Sequence, residues 1–146
     1  MRRRFLFALL AYLVPTFALG YAWHLELFAD RYDALGIYRP DPIIPFGFLS
    51  MLVQGSIFAF AYPRLVARPG AIGSGMRFAA LAALLSWSFT TVAVAAKHPI
   101  TSVPAYLALE SAFTALQFLI VGPLLALSAR VSIAPAHVAS PGSSPA

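Results

Sequence analysis

Four stretches of this chain are apolar over roughly 20 residues each, the length needed to cross a bilayer as a helix. A water-soluble domain of 146 residues cannot bury that much apolar surface, because small domains leave a large share of their surface in water. The composition agrees: 60% of residues are hydrophobic and 10% are charged, against about half and about a quarter in soluble domains. The sequence therefore predicts an all-α integral membrane protein, a four-helix transmembrane bundle.

We place the four spans at roughly 5–28, 43–62, 76–96 and 103–129, which together form one transmembrane domain over residues 1–130. Residues 131–146 are rich in Ala, Pro and Ser and show no periodicity, which predicts a disordered tail. The first span resembles a secretory signal, with three arginines before an apolar run. Because that run continues to Phe28, well beyond the usual h-region, we interpret it as an uncleaved span.

Lysine and arginine are distributed unevenly between the two ends of the spans. Seven lie before span 1, from the end of span 2 to the first residues of span 3, or after span 4, and three lie on the opposite side. Since loops rich in Lys and Arg stay in the cytoplasm, both termini are predicted to be cytoplasmic. The expected location is the bacterial cytoplasmic (inner) membrane. We refer to the end of the bundle opposite the N-terminus as the outer end.

Several functional classes lack the residues that they require. The chain has no cysteine, so disulfides, thiolate metal sites and covalent c-type haem attachment are excluded. No nucleophile–base pair, zinc motif or phosphate-binding loop occurs, and no basic stripe with interleaved aromatics suits nucleic acid. We therefore expect no enzymatic activity, no cofactor, no metal and no nucleic-acid partner. The expected partners are the lipid bilayer and either a second copy of the chain or another membrane protein.

Small and weakly polar residues share one face in two of the spans. In lipid such faces mediate helix packing, because small residues allow close approach and polar ones form interhelical hydrogen bonds. Gln54 in span 2 is expected to donate to a neighbouring helix, whereas Ser88 and Thr91 are placed on the far side of span 3, bonded to their own backbone. The predicted faces are Ala79, Ala82, Ala83, Ser86, Thr90 and Ala93 in span 3, and Gly47, Ser50, Gln54 and Ala61 in span 2.

Glu110 is the only acid well inside an apolar segment, on the order of 10 Å from the outer end of span 4 at 1.5 Å per residue. Tyr106, Thr114 and Gln117 follow the same helical stripe. A carboxylate at the bilayer centre costs about 2.5–3.5 kcal/mol on insertion scales. Glu110 must therefore face the bundle and either find hydrogen-bond donors or take up a proton. The stripe is either a proton-binding or ligand-binding site, or a set of contacts that fixes helix packing.

Trp23 and His24 end span 1 on the same outer side as Glu110. Trp23 is interpreted as an interfacial anchor, since tryptophan is enriched at headgroup level; the alternative is a platform for a ligand. His24 either lies in the headgroup layer or pairs with a carboxylate, Glu110 or Glu26. The candidate intramembrane polar site thus comprises Glu110, Thr114, Gln117, Gln54, His24 and Trp23.

The chain resembles small four-span bacterial inner-membrane proteins of unknown function. The resemblance rests on aromatic residues at the end of span 1, an aromatic-rich outer segment, a proline in the third connection, and an acid followed by an aromatic in span 4. It implies a bacterial inner-membrane location and no particular activity. The residues concerned are Tyr21, Trp23, Phe28, Tyr32, Gly36, Pro99, Glu110 and Phe113.

Two functions remain open at this point. The chain is either a structural or interaction protein of the membrane, or a small transporter or permease, as a single chain or a dimer, that uses Glu110 as its proton or ligand site. A membrane enzyme acting on a lipid or quinone has the least support, because no acid–base pair is evident in the sequence.

Overall fold

Residues 2–131 are described by the computed structural model, and within that range the chain forms helices and turns but no β-strand. Four helices are long and apolar enough to span a membrane. The predicted all-α fold is thus observed, with four helices that could span a membrane, whereas the predicted tail lies outside the described residues from 132 onwards. The helices are α1 (Arg2–Leu27), α2 (Ala29–Leu35), α3 (Ile44–Leu65), α4 (Ile72–Ala95) and α5 (Val103–Val131).

The boundaries differ from the predicted spans by a few residues, and most at the inner end of α3 and α4. The sequence predicts that span 2 ends just before Pro63, but Pro63 lies in the last turn of α3. Gly75 was assigned to a connector, yet it lies inside α4. Val131 was assigned to the tail and instead ends α5. Proline and glycine are tolerated at these places because neighbouring helices, rather than local propensity, stabilise membrane helices.

The α4–α5 pair has the most extensive contact in the bundle, and two glycines allow it. A Cβ atom on Gly75 would overlap the carbonyl oxygen of Gly122 and lie 3.0 Å from the Cβ of Ala126. A Cβ atom on Gly122 would lie 3.0 Å from the Cβ of Ala79. The two backbones therefore touch directly, as small residues permit in membranes.

Helix α1 packs against both α3 and α5, so that it lies between them. Gly55 of α3 faces the ring of Tyr12, where an added Cβ would lie 2.7 Å from the ring carbon Cδ1. The inner half of the bundle is filled by apolar side chains, and α3 and α4 meet there through edge-on aromatic contacts. The buried apolar residues of this core include Ala8, Tyr12, Phe58, Ala59, Tyr62, Ala79, Ala82, Phe118, Val121 and Leu125.

The face predicted for span 3 is correct in its inner half and wrong in its outer half. Ala79 and Ala82 are buried, whereas Thr90 is exposed and Thr91, assigned to the far side, is fully buried. The cause is a π-helical stretch at Ser88–Val92. Its wider turn shifts the residues that follow relative to the 3.6-residue period used for the prediction.

The face predicted for span 2 also needs correction. Gly47 and Ser50 are exposed, and the buried side of α3 lies further along the helix, at Gly55, Phe58, Ala59 and Tyr62. The outer half of α3 rests against α1 alone among the long helices, through contacts such as that of Phe17 with Phe48. A helix with a single neighbour leaves most of its circumference to lipid, so small residues there do not mark a packing face.

Helix α2 folds over the outer end of the bundle. Its residues Tyr32 and Leu35 are buried, and they pack with Tyr106 of α5. The C-terminal carbonyl groups of α2 are held by Thr101, whose backbone N–H donates to Leu35 and whose hydroxyl donates to Ala34. A docked amphipathic helix therefore closes the outer end of the bundle, where the sequence predicts only a connection between spans 1 and 2.

We predict that Gly75→Ala destabilises the bundle by about 1–3 kcal/mol, because a methyl group there cannot fit without separating α4 from α5. Gly73→Ala is the matched control, since nothing lies within 4 Å of an added Cβ at that position of the same helix. Reversible unfolding in mixed micelles measures both variants. Equal stability of the two variants would contradict the close contact of the backbones.

Candidate functional site

Glu110 faces the interior of the bundle from α5. It is 8% exposed, and Tyr106, Thr114 and Gln117 on the same stripe are buried as well. The four side chains are spaced by about one helical turn each, so they form a polar column along α5. This polar column begins at the outer end and reaches the middle of the helix.

Two other helices supply the groups that contact the Glu110 carboxylate. The hydroxyl of Tyr32 in α2 donates to Oε1 of Glu110 over 2.6 Å. Nε2 of His24 in α1 lies 3.4 Å from the same oxygen. The stripe on α5 therefore becomes a site only when the end of α1 and the docked α2 are in place.

The hydrogen bonding of His24 determines which of its nitrogens carries a proton. Nδ1 lies 2.9 Å from the carbonyl oxygen of Gly20. Because a carbonyl oxygen can only accept, Nδ1 must carry a hydrogen. Nε2 then faces Glu110 either as a lone pair or as a second N–H. Two bare lone pairs would repel each other, so the pair of His24 and Glu110 is favourable only when one proton is shared between them.

Aromatic rings enclose the pair. The ring of His24 lies 4.4 Å from that of Phe113 and 4.9 Å from that of Tyr32, measured between centroids. Tyr38 stacks on Tyr32 with a centroid distance of 4.8 Å and an angle of 11°. Burial raises the pKa of Tyr32, and its hydrogen bond to Glu110 raises that pKa further. Tyr32 therefore keeps its proton and acts as a permanent donor to the carboxylate.

Trp23 belongs to the same aromatic cluster. Its ring packs against Phe28 at 4.5 Å and against Phe113 at 5.9 Å. The indole nitrogen is buried, and its N–H is directed toward the hydroxyl of Tyr32 without reaching full hydrogen-bond geometry. An interfacial anchor would instead direct this N–H to the headgroups. Trp23 is thus a wall of the site, which differs from the role that the sequence suggested.

A second polar network lies at the middle of the spans. The hydroxyl of Tyr12 donates to Oε1 of Gln54, and Nε2 of Gln54 donates to the hydroxyl of Ser86 over 2.7 Å. Nε2 of Gln117 approaches the hydroxyls of Tyr12 and Thr16 at 3.4 Å and 3.3 Å. Helices α1, α3, α4 and α5 all contribute, so this midplane network joins the four spans. The donation by Gln54 agrees with the sequence analysis.

Beyond Gln117 the interior becomes apolar toward the inner end. Phe118, Val121 and Leu125 follow on the inward-facing side of α5, and the last two are completely buried. Within residues 2–131 the polar column thus extends from the outer end to the midplane network, and apolar packing occupies the inner half. The Glu110 site therefore lies closer to the outer end of the bundle, beneath the docked helix α2, than to the inner end.

A cavity of about 310 Å³ adjoins the site between α1 and the outer half of α3. Its walls are mostly apolar, with Phe48 and Met51 on the α3 side. Polar groups come from His24, Tyr38 and Arg39. The ring of His24 therefore separates the buried carboxylate from a cavity large enough for a small ligand or several waters.

Comparison of the chain with protein-family models, curated proteins and solved structures found no match. The resemblance to small four-span proteins of unknown function stays a prediction. The functional interpretation accordingly rests on the geometry of the site.

The six residues that the sequence proposed for the site come from three helices, α1, α3 and α5. The structure does not bring all of them to one place. Glu110, Thr114 and Gln117 share the column, His24 touches Glu110, and Gln54 lies lower, in the midplane network. Sequence reasoning missed Tyr32, the strongest donor to Glu110. Its signal was the apolar spacing of Phe28, Tyr32 and Leu35, which marks one face of a short helix.

We predict that Tyr32→Phe lowers the stability of the folded protein by about 1–2 kcal/mol, because it leaves the buried carboxyl without its phenol donor. Tyr38→Phe is the matched control, since the Tyr38 hydroxyl has no hydrogen-bond partner in the described part of the chain. Unfolding in mixed micelles gives the stability, and the infrared carboxyl band reports the hydrogen bonding of Glu110. An unchanged carboxyl band in Tyr32→Phe would refute the contact.

Proposed function

We propose that this chain is a small, non-enzymatic protein of the bacterial inner membrane that binds and releases a proton at the Glu110–His24 pair. In this role it works as a small transporter or permease whose transport step is linked to that proton. The observation that carries the proposal is the hydrogen bond between Nδ1 of His24 and the Gly20 carbonyl. It leaves a single proton to be shared between Nε2 and the carboxylate.

A purely structural acid would need only a donor such as Tyr32. The imidazole adds a second group that can hold the same proton, and with that proton the pair is neutral overall. Losing the proton leaves one negative charge in an apolar surrounding, which is costly unless water or a cation enters. The charge state of the pair is therefore coupled to the hydration of the cavity and to the docking of α2.

The ionisable groups that face Glu110 come from several elements. His24 lies on α1, Tyr32 on α2, Tyr38 on the connection that follows, and Tyr106 on α5 itself. The three phenols stay neutral near pH 7, so none of them competes with His24 and Glu110 for the shared proton.

Transport requires that the polar column open toward the inner end at some stage. Four spans make a narrow bundle, and Val121 and Leu125 fill its inner half. We propose that a rearrangement of this inner half, or a path formed with a second copy of the chain, supplies the opening. A second copy of the chain is one of the two partners expected from the sequence, the other being a different membrane protein.

Both termini are proposed to be cytoplasmic, which places the Glu110 site on the periplasmic side. The support is the excess of Lys and Arg at the inner end, seven against three. A reporter enzyme that is active only in the cytoplasm, fused after Ala146, is expected to be active. Activity of a periplasm-specific reporter at the same position would reverse the orientation.

The second candidate is a structural or interaction protein, which the midplane network favours. That network joins all four spans through hydrogen bonds and would hold the bundle rigid. On this hypothesis Glu110 is permanently hydrogen-bonded, exchanges no proton, and serves only to seat α2 on the bundle.

We predict that Glu110→Gln abolishes a pH-dependent carboxyl band in infrared difference spectra of the protein in vesicles. The same variant should lose proton flux, measured with an internal pH dye, because an amide cannot exchange the proton. Glu26→Gln is the matched control, since it removes an exposed acid from the turn of α1 that carries His24. It is expected to keep both signals.

The two candidates give different outcomes in this experiment. Flux that equals that of empty vesicles for the unmodified chain, together with no pH-dependent band from Glu110, contradicts proton binding and supports the structural role. A Glu110→Gln variant that folds as stably as the parent but loses flux supports the transporter.

A further inference from the structure

A second cavity, of about 650 Å³, opens at the inner end of the bundle between the start of α1 and the end of α3. Its polar lining consists of three arginines, Arg2, Arg4 and Arg64. Phe5, Leu6, Ala59, Phe60 and Pro63 form the apolar remainder of its wall. Three cations thus converge above an apolar surface at the level where the spans end.

Within residues 2–131 no acidic side chain lies near these arginines. The chain's five acids are Glu26, Asp30, Asp33, Asp41 and Glu110, and all of them lie toward the outer end or in the outer connection. Within residues 2–131, Arg2 and Arg4 form no hydrogen bond and no ion pair. The compensating negative charge must therefore come from outside residues 2–131.

Arg64 is held in position at the wall of this cavity. Its Nη1 donates to the carbonyl oxygen of Phe60 over 2.6 Å, and its guanidinium carbon lies 3.7 Å from the centre of the Phe60 ring. The hydrogen bond and the cation–π contact fix the guanidinium plane and leave its other N–H groups free. A fixed arginine fork is well suited to phosphate oxygens.

We propose that this cavity is a binding site for an acidic phospholipid. The phosphate of the lipid binds Arg4 and Arg64, with Arg2 at the rim, and an acyl chain covers Phe5, Leu6 and Phe60. Charge complementarity selects the anion, and the apolar wall at the end of the spans selects a lipid over a soluble phosphate. Basic pockets between membrane helices recognise acidic headgroups in this way.

The test uses the full chain in detergent, titrated with phosphatidylglycerol and observed by native mass spectrometry. The double variant Arg4→Gln/Arg64→Gln is expected to bind this lipid roughly tenfold more weakly or worse. Arg68→Gln/Arg77→Gln is the matched control, because it removes the same charge from the same end of the bundle without lining this cavity. The control is expected to bind as the parent does.

Three further outcomes would overturn the proposal. An equal loss of binding in both double variants means that only the total positive charge of this membrane face attracts the lipid. If phosphatidylcholine binds as well as phosphatidylglycerol, or if inorganic phosphate displaces the lipid at equal concentration, the site does not recognise an acidic phospholipid. Circular dichroism of each variant confirms that the helices remain folded.

Discussion

Hydrocarbon provides no hydrogen-bond partners, and every other feature of this structure depends on that constraint. The polar side chains of the spans must meet one another inside the bundle, while large apolar side chains face outward. Leu81 and Phe89 are each 71% exposed, whereas Gln117 and Glu110 are each 8% exposed. In a soluble protein, large apolar side chains such as Leu81 and Phe89 would be buried and an acid such as Glu110 would be exposed. The distribution in this bundle produces two polar layers, the midplane network and the Glu110 site.

Helix packing and chemistry are connected in this bundle. The glycine contact between α4 and α5 brings the polar column of α5 into the interior, and α1 then supplies both Tyr12 and His24 to that column. Two π-helical stretches border the site, Ala22–Leu27 with His24 and Ser88–Val92 with Thr90. The carbonyl oxygen of Thr90 accepts from the hydroxyl of Tyr106 at the top of the column. Such stretches are often found where a helix has to redirect side chains at functional sites.

The spans and the column of Glu110, Thr114 and Gln117 could be predicted because both depend on simple periodicity. Hydropathy over about 20 residues marks a span, and spacing by one helical turn places side chains on one face. The burial of Thr91 in place of Thr90 could not be predicted, because a π-helical stretch leaves no signal in the 3.6-residue period. The docking of Tyr32 depends on a tertiary contact across 78 residues, which no local pattern specifies. The sequence left open whether His24 pairs with Glu110, pairs with Glu26 or lies in the headgroup layer. The structure places Nε2 of His24 3.4 Å from Oε1 of Glu110.

The central claim is that lipid surrounds this bundle and that its polar groups face inward. Because the chain contains no cysteine, single cysteines carrying a nitroxide label can be placed along α4 without background. In vesicles, labels at Leu81, Leu84 and Phe89 should collide often with oxygen, which dissolves in lipid, and rarely with a water-soluble nickel complex. Labels at Ala79, Ala82 and Thr91 should collide rarely with either reagent. Frequent collisions of the nickel complex at Leu81 and Leu84 would show that water covers this face, and would contradict the account.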